Sequence, residues 1–469
     1  MLTLAENDDI IIKKTIEVAK MNFLVINGSP KGKYSITLQT SKYLELLNKE
    51  HRFDYLNVGQ KIRSLEKDFS IAEEKLNKAD VIIFSYPVYT FIAPCQLHRF
   101  IELIKQSGIE LSGKWATQIS TSKHFYDVTA HKYIEQNCND LGFKYVRGLS
   151  ADMDDLTKEH GRKDAENFFN YLLWNIQNDY SEAPCVTSYC NDSVLATVPD
   201  ESSSKVSGDV VIVTDITDDE MSLQLMIDRF RQRCKRNTRV VNIREFNMKG
   251  GCLGCNSCVV TGECVYKDGF SEILRNSIQT ADAIVYAFSI KDHSMGALFK
   301  MYDDRQFCNG HRSVTMGMPV GYLISGSYSK ESNLKTIIEG RSEVGGNFLS
   351  GVATDEISPD YEIDKLCEVL EYAISNSYTT PANFLGVGGL KIFRDLVYMM
   401  RGMMRADHKF YKKHGLYDFP QKHKVMTTAM YLVGAMLGSD KIKSKMGNKM
   451  NEGMLMPYSK VFEEIEKNK

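Results

Sequence analysis

The strongest constraint on the fold is a pattern that the two halves of the sequence share. Residues 79–84 read Ala-Asp-Val-Ile-Ile-Phe and residues 281–288 read Ala-Asp-Ala-Ile-Val-Tyr-Ala-Phe, and both are apolar runs typical of a buried strand. An earlier apolar run precedes each of them, at residues 23–26 and 209–213, with helical patterns in between. Alternating strands and helices favour a parallel sheet. The repetition therefore predicts an α/β chain with two doubly wound parallel-sheet domains in tandem.

A chain of 469 residues is long enough for about three domains. Residues 179–207 carry two prolines and a run of three serines without a periodic pattern, which is typical of a linker. The predicted organisation is an N-terminal extension at 1–20, a first α/β domain at 21–178, the linker at 179–207, a second α/β domain at 208–378 and a helical C-terminal region at 379–469. Met21 stands directly before the first strand, so Met1 and Met21 both remain candidates for the true start.

Composition argues against several classes of protein. Hydrophobic residues make up 43% and charged residues 25%, and the net charge of -2 gives no basic excess that would suggest nucleic acid. The first residues do not form a secretory signal, and the longest apolar run elsewhere, residues 425–437, is too short to cross a bilayer. Most cysteines outside one cluster are scattered singly, which agrees with a reducing compartment. We therefore expect a cytoplasmic protein with no transmembrane segment and no nucleic-acid partner.

Four of the eleven cysteines lie within thirteen residues, in a segment that we name the cysteine loop (residues 250–264). They are Cys252, Cys255, Cys258 and Cys264, and the gaps of two, two and five residues let a short loop turn four thiolates towards one centre. This spacing favours a [4Fe-4S] cluster. Zinc, whose structural ligands usually come as two well-separated pairs, and thiols without any metal remain alternatives.

Three segments of the first half follow strands and would meet at one edge of a parallel sheet. Residues 27–33 combine glycines, a serine and lysines before a helix, which suits a phosphate, although an ordinary capped turn has a similar composition. Residues 86–94 carry two prolines, two tyrosines and a phenylalanine, so they offer a stiff aromatic surface. Residues 121–127 follow the next strand. Together these segments predict a crevice for an aromatic ligand that bears a phosphate.

Gly28-Ser29-Pro30-Lys31 with Ser35 and Thr37, and Pro87-x-Tyr89 with Pro94, Leu97 and Phe100, resemble the phosphate and isoalloxazine loops of the NAD(P)H-dependent FMN reductases, a flavodoxin-like family. The resemblance covers residues 21–177 and implies flavodoxin-like domains, FMN as cofactor and NAD(P)H as co-substrate. It implies that the FMN phosphate is surrounded by Ser29, Lys31, Ser35, Ile36 and Thr37. It also implies that the flavin ring is edged by Pro87, Val88, Tyr89, Thr90, Phe91, Thr121, Ser122, Lys123, His124 and Phe125.

The second repeat departs from this pattern. Where the first has residues 28–31, the second has Asp-Ile-Thr-Asp-Asp-Glu at 215–220, whose four carboxylates would repel a phosphate dianion, so we expect no FMN there. Its cysteine loop resembles that of the iron-sulfur flavoproteins, relatives of the same reductases in which the cluster region of one subunit meets the flavin of a neighbour. The resemblance allows a homo-oligomer, but a tandem chain could also supply both partners from one polypeptide.

The expected function is an FMN-dependent oxidoreductase that passes electrons from NAD(P)H, or from a reduced carrier, through FMN and a [4Fe-4S] cluster to a small-molecule or protein acceptor. One alternative is an FMN-dependent quinone or nitro-compound reductase with zinc or no metal at the cysteines. Another is a non-catalytic electron carrier or redox sensor. No catalytic residue is assigned, and no Gly-x-Gly-x-x-Gly fingerprint identifies a dinucleotide site at the right place.

Two further features leave alternatives open. His124 and Tyr126 have even chances of contact with flavin or substrate, whereas His131 is expected to be a packing or surface residue. Residues 391–469 hold sixteen Lys and Arg against eight Asp and Glu, together with eleven methionines. We expect a helical appendage that packs across the two domains and has a solvated basic face. The alternative is a surface for an acidic redox partner, an anionic lipid or a flexible substrate.

Overall fold

The computed structural model describes residues 20–183, 193–437, 462–463 and 465–467. Contacts divide the chain into two compact units, one up to Phe410 and one from Tyr411 onwards. The first unit contains two parallel sheets, so the predicted fold class of two parallel-sheet α/β domains is confirmed. The predicted N-terminal extension falls outside the described residues, apart from Lys20.

The first sheet is assembled in the order β2-β1-β3-β4-β5, and β6 also pairs with β4. Its strands are β1 Asn22–Asn27, β2 Arg52–Leu56, β3 Val81–Pro87, β4 Trp115–Ser122, β5 Lys144–Tyr145 and β6 Leu149–Asp152. Its helices are α1 Ile36–Leu47, α2 Val58–Leu65, α3 Ser70–Lys78, α4 Cys95–Ser107, α5 Asp127–Asp140 and α6 Glu159–Asn178. Strands β1 and β3 are parallel neighbours, but the chain continues from β1 to β2 on one side and from β3 to β4 on the other. A crevice is therefore expected at the carboxyl ends of β1 and β3.

The second sheet repeats the same order of strands. Its path is β8-β7-β9-β10-β11, which matches β2-β1-β3-β4-β5 strand by strand. The strands are β7 Asp209–Thr214, β8 Asn237–Asn242, β9 Ala283–Ser289, β10 Pro319–Ser325 and β11 Phe348–Thr354. The helices are α7 Met221–Arg233, α8 Ser257–Thr261, α9 Phe270–Ile273, α10 Gly296–Arg305, α11 Ser332–Gly345 and α12 Pro359–Asn376. The repeat seen in the sequence is therefore a repeat of topology.

Hydrophobic strands explain why both sheets are central layers. In β1 and β3, Val25 and Ile83 are fully buried on one face, while Leu24 and Ile82 are buried on the other. Strands covered on both faces are continuous apolar runs rather than alternating ones, as the sequence of residues 81–84 shows.

Helices α4 and α10 join the two domains through a reciprocal pair of contacts. The backbone N–H of Cys95, at the start of α4, donates to Asp304 Oδ2 of α10 at 2.8 Å. The backbone N–H of Ala297, at the start of α10, donates to Glu102 Oε1 of α4 at 2.7 Å. On both helices the acceptor residue follows the donor residue by seven positions: Glu102 follows Cys95 on α4, and Asp304 follows Ala297 on α10. The two repeats therefore meet as an isologous pair, in the way that two subunits of a symmetric dimer meet.

The C-terminal region continues with α13 Phe384–Met399, α14 Arg405–Lys413 and, in the second unit, α15 Lys424–Leu437. Helix α13 packs on α11 at glycine positions, where a Cβ on Gly389 would overlap Val344. Residues 193–207 have no regular secondary structure, but Val194 N donates to Asp355 O at 2.7 Å, so this part of the linker lies against the second domain. Among the described helices, none is both long and apolar enough to cross a membrane.

Candidate functional site

The segment between β1 and α1 gathers hydroxyl groups at a helix N-terminus. Ser29, Ser35 and Thr37 are all buried, and Thr37 Oγ1 lies 2.5 Å from Thr121 Oγ1 at the end of β4. Ser35 caps α1, because its Oγ accepts from Leu38 N at 3.4 Å. The first N–H groups of an α-helix have no partner within the helix, and they carry the positive end of its dipole. Hydroxyls, backbone N–H groups and Lys31 form a donor set that fits a phosphate.

The segment after β3 is held in an unusual backbone conformation. Tyr89 N donates to Ile92 O at 2.8 Å, and Thr90 and Phe91 between them have φ values of 46° and 75°. Such values cost free energy for residues other than glycine and persist only where surrounding contacts enforce them. One of these contacts comes from Thr129, whose Oγ1 donates to Phe91 O at 2.6 Å. The predicted flavin-ring segment is therefore a rigid turn.

The third segment begins inside a strand, since Thr121 and Ser122 are the last residues of β4 rather than loop residues. Ser122 Oγ is buried and has no hydrogen-bond partner among the described residues, which leaves it available to a ligand. Phe125 packs against Phe91, with ring centroids 5.1 Å apart. Lys123 instead binds Asp152 on β6 at 2.7 Å, so its amine is already engaged outside the cluster of aromatic side chains.

The two histidines and the tyrosine of this region have different roles. His124 is half-exposed and pairs with Asp127 at 2.8 Å. The hydroxyl of Tyr126 donates to Leu385 O of α13 at 3.2 Å, so it already has an acceptor. His131 is a packing residue: its Nε2 lies 2.8 Å from Ser120 Oγ, and burial lowers its pKa to about 4.

Residues of the second domain hold the flavin-ring segment in place, and no sequence pattern predicted them. Lys300 Nζ donates to Tyr89 O at 2.9 Å and forms an ion pair with Asp304. Asp304 accepts from Thr90 Oγ1 at 3.2 Å as well as from the N–H of Cys95. Both side chains are fully buried. From sequence alone, a Lys and an Asp four residues apart on a helix predict an ordinary surface ion pair. Only the tertiary structure shows that Lys300 and Asp304 contact the flavin-ring segment.

Aromatic side chains outside the three segments complete the crevice. Phe307 meets Tyr89 with ring centroids 5.9 Å apart, and Phe393 of α13 lies 4.3 Å from Phe125. His311 connects these two, at 4.9 Å from Phe393 and 6.4 Å from Phe307. The first domain therefore supplies one wall of the crevice, and the second domain and α13 supply the other.

The cysteine loop lies directly against the first domain. A Cβ on Gly254 would overlap the Tyr89 hydroxyl, and Lys31 Cε would be 3.1 Å away. A Cβ on Gly251 would overlap Cys95 Sγ at the start of α4. Gly254 also has a φ of +60°, which L side chains rarely adopt. The cysteine loop of the second domain thus reaches two segments of the first domain: residues 27–33, the phosphate-type segment, and residues 86–94, the flavin-ring segment.

The four thiols of the loop share a neighbourhood without sharing a centre. Cys255 is exposed, whereas Cys252, Cys258 and Cys264 are partly buried. Burial, with smaller contributions from neighbouring thiols, raises the pKa of Cys252 to about 12 and that of Cys258 to about 11. In the described part of the chain, no three His, Cys, Asp or Glu side chains are placed to hold a metal ion. Four thiols on one loop fit a thiolate-bound cluster by chemistry, but the structure does not bring them to ligand positions.

The close approach at Gly254 gives a direct prediction. Replacing Gly254 by alanine should move the cysteine loop away from Tyr89, because the added methyl would overlap the tyrosine hydroxyl and strain a positive φ. We expect faster proteolysis within the loop than in the wild type, with a modest loss of stability of about 1–2 kcal/mol. Gly269 is the control, since it has a φ of +78° but open space around its Cβ position. Equal effects at both positions would show that backbone strain, and not contact with Tyr89, is responsible.

Comparison with known proteins agrees with this fold. Residues 21–169 match the family described as having a flavodoxin-like fold. These residues therefore have a flavodoxin-like fold. An iron-sulfur flavoprotein from Archaeoglobus fulgidus is 23% identical over 175 residues, a match that spans 35% of this chain and 78% of that protein. The resemblance to flavodoxin-like reductases and iron-sulfur flavoproteins that the sequence predicted is confirmed by these matches.

Two solved structures are also similar to part of the chain. An NAD(P)H:quinone oxidoreductase from Methanothermobacter marburgensis is 13% identical with a TM-score of 0.28, and the match covers 35% of this chain and 100% of that one. An FMN-dependent NADH-azoreductase from Bacillus anthracis, solved with FMN, is 14% identical with a TM-score of 0.26, covering 34% and 98%. At these scores the likenesses carry no argument about function.

The flavodoxin-like domain and its repeat differ at the phosphate-type segment. In the second domain this position holds Asp215, which is buried, and burial raises its pKa to about 6. Glu220 accepts from Thr217 N at 2.8 Å and pairs with Lys291 at 3.3 Å. This segment therefore has acidic groups where the first domain has hydroxyl donors. The prediction that the second repeat has no FMN site of its own stays a prediction.

Proposed function

We propose that the chain is an FMN-dependent oxidoreductase in which the first domain binds FMN and the cysteine loop of the second domain binds a [4Fe-4S] cluster. NAD(P)H or a reduced carrier is the proposed electron donor. The observation that supports this proposal is the contact of the cysteine loop with Tyr89 and Lys31, because these two residues belong to the segments proposed to bind FMN.

When bound, FMN would supply two-electron chemistry and a cluster would supply one-electron chemistry. The residues of the chain have separate tasks. Ser29, Ser35 and Thr37, with the N-terminus of α1, are the proposed phosphate donors. Tyr89, Phe91 and Phe125 offer apolar surface to the flavin ring.

The test is anaerobic purification followed by measurement of iron, zinc and flavin per chain. Replacing Cys255 by serine should lower iron to near zero and leave FMN at the wild-type level, since Cys255 is exposed and lies outside the hydrophobic cores. Ser257→Ala in the same loop is the matched control and should keep both cofactors. Wild-type protein without bound FMN would overturn the proposal. Iron that persists in the Cys255 variant would remove the cysteine loop as the cluster site.

A second candidate is an FMN-dependent quinone or nitro-compound reductase with zinc or no metal at the cysteines. The observation that favours it is that the four thiols do not converge in the described structure. Under this alternative, anaerobic protein contains FMN and lacks iron, and Cys255→Ser turns over quinones at the wild-type rate. Repeated turnover of NADH or NADPH with either acceptor would also exclude a purely carrier or sensor role.

A further inference from the structure

One cavity of the described structure is lined by none of the three segments, 27–33, 86–94 and 121–127, that form the predicted flavin crevice. It has a volume of about 880 Å³ and opens between helices α2 and α4 of the first domain and the strand-end segments of the second. Cavities of roughly 300–1,000 Å³ at domain boundaries are typical sites for small-molecule ligands. The proposed FMN contacts do not use this space, because Ser29, Thr37 and Thr121 do not line it.

The cavity lies where the topology of the second sheet favours a ligand. Asp215 follows β7, Arg244 follows β8 and Lys291 follows β9, and all three line the cavity. Strands β7 and β9 are neighbours in the sheet, as β1 and β3 are in the first. Parallel α/β sheets bind ligands outside the carboxyl ends of such a strand pair. The second domain thus retains a crevice at the expected place, although its phosphate-type segment is acidic.

Charges on the cavity walls are unbalanced. Three lining cations are neutralised: Arg99 by Glu66 and Glu102, each at 2.9 Å, Lys105 by Asp292 at 2.8 Å, and Lys291 by Glu220 at 3.3 Å. Three others, Arg63, Arg244 and Lys249, form no ion pair with any described residue. Arg63 and Arg244 donate only to backbone carbonyls, those of Lys249 and Asp215 respectively.

Asp215 is the one lining acid without an ion pair among the described residues. Its buried position weakens its negative charge, because burial raises its pKa to about 6. The other acidic residues at 215–220 do not line the cavity. A surplus of cations in a concave site attracts anions, since low-dielectric walls focus the field.

The cysteine loop contributes to this cavity and also contacts the first domain. Gly250, Gly251 and Leu253 line the cavity, whereas Gly254 lies against Tyr89 and Lys31, which do not line it. A ligand in the cavity would therefore lie against the cysteine loop next to its contact with Tyr89.

We propose that this cavity binds a small organic anion bearing carboxylate or phosphate groups, held by Arg63, Lys249 and Arg244. Its role as a substrate of the oxidoreductase rests on the function proposed above, while its binding does not. Arg63 comes from the first domain and the other two from the second, so the site exists only while the two domains are packed together.

Isothermal titration calorimetry with pyrophosphate and with citrate tests the site on FMN-saturated protein at low salt. We expect one anion per chain for at least one of the two probes, and which probe binds distinguishes phosphate from carboxylate. The double variant Arg63→Ala/Lys249→Ala should weaken binding by at least about tenfold, because two charge-assisted contacts are removed. Lys267→Ala is the control, since Lys267 is exposed near the cysteine loop but does not line the cavity.

The outcomes separate this proposal from the proposed function. Absence of binding by both probes, or an equal loss of affinity in the Lys267 control, would overturn the anion site. FMN content is measured on the same samples from the flavin absorbance and should be unchanged in the double variant, because neither substituted residue lies in the first-domain crevice. If wild-type protein bears no FMN, the titration is repeated on the flavin-free chain. There, dependence on Arg63 and Lys249 still supports the anion site, and independence contradicts it.

Discussion

Replacing Asp304 by alanine is expected to lower the free energy of unfolding by about 3–5 kcal/mol and to weaken FMN binding by about tenfold. Asp304 is fully buried and has three partners: Lys300, the N–H of Cys95 and the hydroxyl of Thr90. Its removal leaves a buried ammonium group with weaker compensation and a buried helix N-terminus without its cap. Breaking one side of a buried ion pair is costly for this reason.

The effect on FMN follows from which segment loses support. Thr90 and Phe91 have positive φ values, and this conformation needs surrounding contacts to persist. Lys300 and Asp304 supply contacts from the second domain to Tyr89 and Thr90. Without them the turn should relax, and FMN affinity should fall even at temperatures where the protein remains folded. Urea unfolding and flavin fluorescence titration measure the two effects separately.

Glu102 provides the matched control, because it occupies the equivalent position on α4. It accepts the N–H of Ala297 and pairs with Arg99. Glu102→Ala should destabilise the same interface between domains yet leave FMN affinity within about twofold, since it supports the second-domain segment. Asp304→Asn keeps an acceptor for the Cys95 N–H and should lie between wild type and Asp304→Ala. Equal losses of FMN affinity in the Asp304 and Glu102 variants would contradict a specific role in positioning the flavin-ring segment.

Local patterns were sufficient to predict much of the fold. The apolar runs at 23–26 and 81–84 become β1 and β3, and the matching runs at 209–213 and 283–288 become β7 and β9. Strands buried on both faces have a continuous apolar signature that needs no tertiary information. The capping role of Ser35 could be predicted for the same reason, since a cap acts within three residues.

The rest of the site depends on contacts between distant parts of the chain. Lys300 lies 211 residues from Tyr89 in sequence, and nothing in its local pattern distinguishes it from a surface lysine. Phe393 comes from the C-terminal region, which was predicted to pack across the two domains, but nothing in its composition pointed to this residue as a neighbour of Phe125. The engagement of Lys123 by Asp152 likewise depends on the pairing of β4 with β6. Side chains from separate elements converge only after folding, so a single sequence could not reveal them.

Stability should fall by about 2 kcal/mol between pH 7 and pH 9.5 because of one buried histidine at the interface between the domains. His293 Nδ1 lies 2.9 Å from Glu331 Oε1, and its Nε2 lies 3.0 Å from Asp140 Oδ2. This ion pair is buried, since the His293 side chain is 3% exposed and the Glu331 side chain is 0% exposed. Although burial alone would lower it, the hydrogen bonds and charges of these two carboxylates raise the pKa of His293 from 6.5 to about 9.

The sign follows from this raised pKa. The folded protein keeps its proton on His293 up to about pH 9, whereas the unfolded chain releases it near pH 6.5. The stabilisation is therefore complete below about pH 6.5 and is lost as the pH rises through about 9. Asp140 acts at the acidic end of the pH range: although burial alone would raise its pKa, the hydrogen bonds and charges of His293 and Lys105 lower it, so its contribution to stability is lost only in acid. Urea unfolding at several pH values measures the slope.

His293→Gln removes the charge and should abolish this slope between pH 7 and pH 9, while lowering stability at pH 7 by about 3–5 kcal/mol because Glu331 loses its cationic partner in a buried site. His160→Gln is the control: His160 also lies near a carboxylate, at 3.8 Å from Asp155, but its side chain is 67% exposed. That substitution should change stability by less than about 1 kcal/mol and leave the slope intact.

Buried thiols contribute their own loss of stability above about pH 9, because burial raises the pKa of residues such as Cys95 and Cys138. This part of the pH dependence should persist in both variants. If the free energy of unfolding of His293→Gln still falls between pH 7 and pH 9, His293 is not the group responsible for the pH dependence of stability.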